Sequence, residues 1–315
     1  MACSFPFVYR VYGLTLMSDM RLTLPQACAE RSDLDKVVRL ETAGAEKMPL
    51  ASDAKLDPEL WFEQRFFSNG TLYLYWKDWF DFVVSAGGGC VSCRNLSDRP
   101  LELFDAYLTN FAVSAALVQQ GEETLHATVV DIGERAIGLL GACGAGKSTL
   151  ASFFRSRGAD IVTDDMLRVD IGNEAVLAHP GPHRLKLFRE PAELFLPQTS
   201  QSGRWSPVGG KFIYDLGDPT KARQARRLTA LYHLHAPDQT DNKSVVLERL
   251  AGLDLFRTIG GSTMVNGLDR PGRPERHFRF VKRLANRLPV YRLTYPRSFD
   301  IFDEVVDKIF ASAPA

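Results

Sequence analysis

One segment of this chain has the residue types and the spacing that bind the phosphates of a nucleotide. Residues 141–149 read GACGAGKST and satisfy the pattern G-x-x-x-x-G-K-[ST]. Glycines let a backbone curl until successive N–H groups face phosphate oxygens, and the start of a following helix adds its positive dipole end. In such a loop the lysine reaches the β- and γ-phosphates, and the serine hydroxyl binds Mg²⁺. We therefore predict that ATP and Mg²⁺ bind here, through Gly141, Cys143, Gly144, Ala145, Gly146, Lys147, Ser148 and Thr149.

A pair of adjacent acids, Asp164 and Asp165, follows the apolar residues 161–162, where a strand would end. One helix separates this strand from the phosphate loop, so we expect both carboxylates at the mouth of the same site. A kinase needs a carboxylate that helps to hold Mg²⁺ and a group that accepts the proton of the attacking hydroxyl. We assign Asp164, Asp165 and Lys147 to catalysis, and Ser148 and Asp165 to the metal. The residue types leave open which aspartate is the base, and the alternative interpretation of Asp-Asp is a solvated turn or a helix N-cap.

The elements that position these residues follow the order strand, loop, helix, strand. The apolar strand Ala136–Leu140 enters the loop, and Thr128–Ile132 is predicted to pair with it in a hairpin turned at Gly133-Glu134. Residues Lys147–Arg157 favour a helix, which Gly158 ends. This order is the one that a phosphate-binding loop requires.

Downstream of the aspartates the pattern alternates between loops, strands and helices. Gln198–Gly210 is rich in Ser, Gly and Pro and predicts a mobile loop, whereas Lys211–Leu216 predicts a strand. Near the end of the chain we predict a basic amphipathic helix at Glu275–Leu288, a strand at Val290–Thr294 and a helix at Phe302–Phe310.

The first part of the chain is rich in Tyr, Val, Phe and Trp and predicts a mainly antiparallel β-domain, with strands in Phe7–Leu16, Thr71–Trp76 and Phe80–Ser85. Apolar periodicity from Leu101 to Gln120 predicts a helix. We therefore predict an α/β protein with a mixed sheet. Its parts would be a smaller N-terminal domain at 1–99, a bridging helix at 100–123 and a P-loop kinase domain at 124–315.

Composition excludes several classes of function. The 38 basic residues balance 38 acidic ones, so no overall positive field attracts nucleic acid or anionic lipid. The N-terminus has no secretion signal, and the longest apolar runs are too short to cross a membrane, so we expect a cytoplasmic protein. Its five cysteines are then expected to be reduced. Cys90 and Cys93 have C-x-x-C spacing but lack the second pair that a zinc site needs, and their role stays open.

The sequence around this loop resembles that of the HPr serine kinase family. The resemblance rests on Leu125-His126-Ala127, the strand 129–132, the phosphate loop, a helix that ends in Arg157-Gly158, and Thr163-Asp164-Asp165. It implies a P-loop core like that of HPr kinase and phosphoenolpyruvate carboxykinase. In that family a histidine shortly before the loop and an aspartate pair after the helix share the active site. The resemblance thus implies that His126 orients an aspartate or assists the proton relay.

The flanking segments are similar to HPr-kinase-related proteins that are encoded with lasso-peptide biosynthesis. This looser similarity rests on residues 83–87, 124–128, 180–187, 210–212 and 288–293. It implies a peptide partner, namely a lasso-peptide precursor phosphorylated on its C-terminal serine. Thr149 stands where bacterial HPr kinases have a glutamate, and we find neither their Leu-Glu-Ile-Arg-Gly segment nor their downstream metal-binding glutamate. These departures argue against phosphorylase activity and against HPr as the substrate.

Basic residues beyond the aspartates are candidates for contacts with phosphate or with a peptide carboxylate, namely Arg184, Lys186 and Lys211. Two other functions stay open, a small-molecule kinase and a nucleotide-binding regulator without phosphotransfer. The regulator would need no base, so the aspartate pair counts against it. The sequence leaves open the phosphate acceptor, the choice between ATP and GTP, and whether the chain forms a homo-oligomer.

Overall fold

The computed structural model of the protein describes residues 5–27, 36–44, 48, 60–97, 100–133, 135–206, 210–217, 224–235, 244–265 and 272–312. Glu134 of the predicted hairpin turn, Cys3 and Cys28 lie outside the described residues. The chain clusters into two compact units. The first contains Met1–Thr124 and Met264–Pro274, and the second contains Leu125–Thr263 and Glu275–Ala315.

The first unit contains a twisted sheet in the order β1-β2-β3-β7-β6-β5-β4. Its strands are β1 (Phe7–Val11), β2 (Leu14–Ser18), β3 (Val37–Thr42), β4 (Phe62–Phe66), β5 (Leu72–Trp76), β6 (Phe80–Val84) and β7 (Cys90–Asn95). The sheet is mainly antiparallel, as predicted, but β3 runs parallel to both of its neighbours.

The prediction of one strand run at Phe7–Leu16 was wrong, because a two-residue turn divides it into β1 and β2. Tyr12 and Gly13 form this turn with φ of 56° and 65°. Positive φ at both central residues gives the turn that matches the twist of paired strands, and Asn-Gly is its usual sequence signal. A tyrosine in the first position hides the turn within a β-rich run.

A long buried helical run packs in the same unit. It consists of α1 (Leu101–Tyr107), a π-helical segment (Leu108–Ala112) and α2 (Val113–Gln119). The run is long and apolar enough by composition to cross a membrane, but most of it is buried inside the protein, as in a core helix. Gly88 contacts this helix so closely that a Cβ there would lie 2.1 Å from the carbonyl oxygen of Ala116.

The second unit has a mixed sheet in the order β10-β8-β9-β16-β12-β11, with β18 beside β16 and β17 beside β18, and a small sheet β13-β15-β14. Its strands are β8 (Ala127–Asp131), β9 (Ala136–Leu140), β10 (Asp160–Thr163), β11 (Val169–Ile171), β12 (Val176–Ala178), β13 (Arg184–Leu187), β14 (Arg204–Ser206), β15 (Lys211–Asp215), β16 (Arg226–His235), β17 (Val246–Arg249) and β18 (Val290–Thr294). Its helices are α3 (Lys147–Ser156), α4 (Arg189–Phe195), α5 (Gly252–Gly261), α6 (Arg273–Ala285, which begins in the first unit) and α7 (Phe302–Ser312). The predicted mixed α/β class is confirmed.

Helices cover both faces of the large sheet. On one face Leu150 and Phe154 of α3 pack with Ile137 and Tyr232. On the other face Ile259 of α5 and Val281 and Leu284 of α6 pack with further strand residues. Strand β9 is buried along its whole length and is a continuous apolar run.

Strand directions decide where the functional residues meet. Strand β9 runs parallel to β16, and β16 runs parallel to β18. Strand β8 is antiparallel to both β9 and β10. The start of β8 and the carboxyl ends of β9, β10, β16 and β18 therefore lie at one edge of the sheet.

Two predicted segments differ in the structure. The loop predicted at Gln198–Gly210 contains a 3₁₀ turn at Ser200–Ser202 and strand β14, because Trp205 packs against Phe212 of β15 with ring centroids 5.0 Å apart. Residues 207–209 of that loop lie outside the described residues. The basic helix α6 begins two residues earlier than predicted and ends at Ala285. The predicted strands Ala136–Leu140 and Val290–Thr294 are confirmed.

Candidate phosphotransfer site

The phosphate loop connects β9 to α3, in the predicted strand–loop–helix order. Its glycines have positive φ, with 139° at Gly141, 82° at Gly144 and 98° at Gly146. At Gly141 a Cβ would also lie 2.9 Å from the Cβ of Ala145 and 3.1 Å from the carbonyl oxygen of Leu234. The loop conformation therefore requires glycine, for backbone conformation at all three positions and for space at the first.

Lys147 is the first residue of α3, and it is only 6% exposed. Its Nζ donates to the carbonyl oxygens of Gly141 at 2.7 Å and Ala142 at 3.2 Å. Burial lowers the pKa of Lys147, while Asp165 and Asp164 oppose this effect. The ammonium thus lies within the curl of the loop, where it can exchange carbonyl oxygens for phosphate oxygens.

Asp164 lies against the start of α3, and its carboxylate accepts several hydrogen bonds. Thr128 Oγ1 donates to Oδ1 at 2.6 Å, Ser148 Oγ donates at 3.1 Å, and the Lys186 backbone N–H donates to Oδ2 at 2.9 Å. Burial and the neighbouring charge of Asp165 raise the pKa of Asp164 in spite of these donors. A serine hydroxyl and a carboxylate in contact at the start of the helix are the pair expected beside a nucleotide-bound Mg²⁺.

Asp165 points toward a lysine on β13. Its Oδ2 lies 3.2 Å from the Nζ of Lys186. Burial opposes ionisation of this carboxyl group, but Lys186, His126 and Lys211 together hold the pKa of Asp165 well below its usual range. The backbone of Asp165 has φ of 69°. In an extended strand adjacent side chains point to opposite faces, so this left-handed residue is what allows two consecutive aspartates to serve one site.

His126 lies at the start of β8, within electrostatic reach of Lys147, Asp165, Lys186 and Lys211. Burial, and next the charge of Lys147, lower its pKa to about 4. Its backbone N–H donates to the carbonyl oxygen of Ser262 at 2.7 Å. The imidazole is therefore neutral near pH 7, with two ring nitrogens able to bond to substrate or to an aspartate.

The candidate basic residues lie on the small sheet. Lys186 and Arg184 of β13 face the same side as Lys211 of β15, because Lys186 pairs with Ile213 and Arg184 pairs with Asp215 in an antiparallel register. Lys211 lies over the ring of Phe188, with its Nζ 5.4 Å from the centroid. Lys211 acts on the pKa values of both aspartates and of His126, which places its charge at the site.

The described residues fit Mg²⁺ and ATP. The glycine conformations leave room for phosphates, and Lys147, Ser148 and Asp164 provide the cation, the hydroxyl and the carboxylate. No cluster of His, Cys, Asp or Glu resembling a metal cage occurs within the described ranges. Mg²⁺ held with nucleotide does not need one, because phosphate oxygens and water supply most of its ligands.

Three contributors carry no sequence signal. Thr128 lies inside a strand, the Lys186 N–H is a backbone group, and Tyr295 follows β18, yet all lie at this edge of the sheet. The predicted residues Lys147, Ser148, Asp164, Asp165 and His126 are brought together. Cys143, in the middle of the loop, is exposed.

No protein-family profile matches the chain, and no curated protein matches it. Among solved structures the chain is similar to the HPr(Ser) kinase/phosphatase from Coxiella burnetii, with 14% sequence identity and a TM-score of 0.32. The match covers 60% of this chain and 96% of that chain. At this identity and TM-score the likeness carries no weight for fold or function.

Proposed function

We propose that the protein is an ATP-dependent kinase that transfers the γ-phosphoryl group to a hydroxyl. The observation that carries this proposal is the contact between Ser148 and Asp164 at the start of the phosphate-loop helix, with Asp165 beside it. A protein that only binds nucleotide needs the first contact. It does not need a second, ionised carboxylate at the same edge of the sheet.

The two aspartates have different surroundings and, in this proposal, different roles. Asp164 touches Ser148 and would hold Mg²⁺ with it, whereas Asp165 touches Lys186 and would be the base. This division places Asp164, and not Asp165, on the metal side. When bound, Mg²⁺ neutralises charge that develops on the phosphates.

The transfer step uses groups of this chain for positioning and for charge. The acceptor oxygen forms a bond to the γ-phosphorus, the bond to the oxygen of ADP breaks, and Asp165 takes the hydroxyl proton. The transition state is loose, so the proton moves late and a carboxylate with a low pKa suffices as its acceptor. Lys147 and Lys186 face the charge of the transferring group, and neutral His126 can orient the acceptor or Asp165 by a hydrogen bond.

For the acceptor we propose the C-terminal serine of a peptide, a lasso-peptide precursor. Two observations support an anionic acceptor. Lys186 and Lys211 lie beside the aspartates on one face of the small sheet, and Arg184 extends the same face. A terminal serine offers a hydroxyl and a carboxylate a few ångströms apart, which suits a base next to ammonium groups. We place this reaction in the cytoplasm, where ATP is abundant.

The test uses purified protein, Mg²⁺-ATP and synthetic peptides that end in serine, matched to peptides ending in serine amide or alanine. In the peptide that ends in serine, we expect mass spectrometry to find phosphate only on that terminal serine. The serine-amide peptide should be phosphorylated more weakly, and the alanine peptide should not be phosphorylated. Lys147→Ala should abolish transfer and Asp165→Asn should lower it by about 10²–10⁴-fold, while far-UV circular dichroism stays unchanged.

Other outcomes separate the alternatives. Transfer to free hydroxy acids or sugars, with none to the peptides, would identify a small-molecule kinase. ATP binding without transfer to any acceptor would identify a nucleotide-binding regulator. Retained activity in Lys147→Ala would contradict the site itself.

A further inference from the structure

Tyr295 lies at the phosphate loop, although its position in the sequence gives no sign of this. It follows β18 directly, at the edge of the sheet where β9 ends. Its hydroxyl oxygen lies 3.5 Å from the point that a Cβ on Gly146 would occupy. Gly146 is the residue immediately before α3, so the phenol faces the turn where the loop becomes the helix.

The ring of Tyr295 is buried, whereas its hydroxyl oxygen is accessible and has no hydrogen-bond partner among the described residues. Tyr295 is 7% exposed, and its ring packs against Phe302 with centroids 6.0 Å apart. Packing of the ring fixes where the hydroxyl lies, so a ligand that accepts its hydrogen bond does not have to order the side chain first. Burial raises the pKa of Tyr295, so the group stays an O–H donor at physiological pH. A fixed ring with an accessible O–H beside Gly146 is therefore available to donate a hydrogen bond to a ligand held by the loop.

The strand order indicates which part of the ligand Tyr295 meets. Asp164 and Asp165 follow β10, which lies on one side of β9 beyond β8. Tyr295 follows β18, which lies on the other side of β9 beyond β16. The two groups therefore reach the loop from opposite sides, Asp164 at Ser148 and Tyr295 at Gly146. A nucleotide whose γ-phosphate lies at the aspartates therefore has its α-phosphate on the side of Tyr295.

We propose that the Tyr295 hydroxyl binds the nucleotide by donating a hydrogen bond to an α-phosphate oxygen, and so sets the direction in which the nucleotide lies across the loop. The inference depends on the proposed function, since it takes ATP as the occupant of the loop. Tyr295 acts in binding and has no part in the proton transfer. Tyr295 thus positions the nucleotide from the side of the loop opposite to Asp165.

The test is the binding of Mg²⁺-ATP and Mg²⁺-ADP to Tyr295→Phe, measured by isothermal titration calorimetry. This variant removes one oxygen and keeps the ring that packs on Phe302. We expect both dissociation constants to rise by a common factor of about 10, the range for a hydrogen bond to a charged group. Thermal unfolding of the nucleotide-free variant should match that of the wild type.

Tyr291→Phe is the matched control, because the Tyr291 hydroxyl donates to the carbonyl oxygen of Ser312 at 3.1 Å. It should bind both nucleotides as the wild type does. Unchanged binding in Tyr295→Phe would overturn the inference, and so would a loss confined to ATP, which would place the contact at the γ-phosphate. Either of these two results refutes only the Tyr295 contact, and leaves the proposed function standing, when the wild type binds ATP and Lys147→Ala does not. A wild type that binds neither nucleotide refutes the proposed function, and the inference with it.

Discussion

The ammonium of Lys186 lies 3.2 Å from a carboxylate oxygen of Asp165. Through its backbone N–H the same residue also contacts Asp164 at 2.9 Å. One residue of β13 thus contacts both of the consecutive carboxylates. It keeps the second ionised, because a nearby cation favours the charged form.

Removal of the Lys186 charge should weaken the acid tolerance of the enzyme. Lys186 is the largest single cause that lowers the pKa of Asp165, and burial opposes it. Lys186→Met should therefore raise that pKa and shift the acidic limb of the kcat/KM profile from below pH 4 into the measured range. The profile would be measured with the terminal-serine peptide between pH 4 and 9. Lys186→Arg keeps the charge and should keep the wild-type limb. Identical limbs in Lys186→Met and the wild type would show that Asp165 is not the titrating group.

Substitution of each aspartate by asparagine should impair a different property, Mg²⁺-dependent ATP binding for Asp164 and turnover for Asp165. Asp164 contacts Ser148, so Asp164→Asn should raise the Mg²⁺ concentration that gives half-maximal ATP binding by about tenfold. Asp165→Asn should leave this midpoint unchanged and lower turnover by about 10²–10⁴-fold, the range for loss of a general base. A Mg²⁺ titration of ATP binding and a turnover assay on both variants would check this. The reverse pattern would exchange the two roles.

Much of the site could be predicted because its central residues are adjacent in the chain. A phosphate loop is a contiguous motif, so its glycines, Lys147 and Ser148 are visible in the sequence without knowledge of the fold. The aspartates are visible because one helix returns the chain to the same edge of the sheet. His126 depended on resemblance to a family, since a lone histidine has many structural roles.

The remaining contacts depend on long-range pairing that no local pattern specifies. Lys186 meets the aspartates only because the fold brings β13 to the residues that follow β10, and Tyr295 meets Gly146 only because β18 joins the sheet through β16. The left-handed backbone of Asp165 is likewise set by its surroundings, since Asp adopts many other conformations. The sequence therefore indicated a catalytic aspartate pair but could not assign one role to each member.

His126 should make the folded protein sensitive to mild acid. Its pKa is about 4 in the folded protein against 6.5 for the free side chain, because burial and Lys147 disfavour its charged form. Between those pH values the unfolded chain binds more protons, so the free energy of unfolding falls as the pH falls. His126→Gln cannot take up this proton. Between pH 6.5 and 4.5 the free energy of unfolding of this variant should therefore fall by about 2 kcal/mol less than that of the wild type.

Urea unfolding of the nucleotide-free protein at both pH values would measure this difference. His235→Gln, at an exposed position, is the matched control and should keep the wild-type loss. If His126→Gln loses as much stability as the wild type, the imidazole is not neutral and buried as described.

Alanine substitutions in the phosphate loop should separate backbone strain from a steric clash. Gly144 has φ of 82° with no atom within 4 Å of a Cβ, so Gly144→Ala should cost only about 1–2 kcal/mol of backbone strain and weaken ATP binding less than about thirtyfold. At Gly141 a Cβ would lie 2.9 Å from Ala145 Cβ and 3.1 Å from the Leu234 carbonyl oxygen. Since β9 and β16 hold both sides of that contact, Gly141→Ala must displace the loop, and ATP binding should be lost. Calorimetry on both variants, with thermal unfolding as the check on folding, would measure the contrast. Equal losses of ATP affinity would mean that the loop is free to move away from Leu234 and that the packing of Gly141 does not fix its shape.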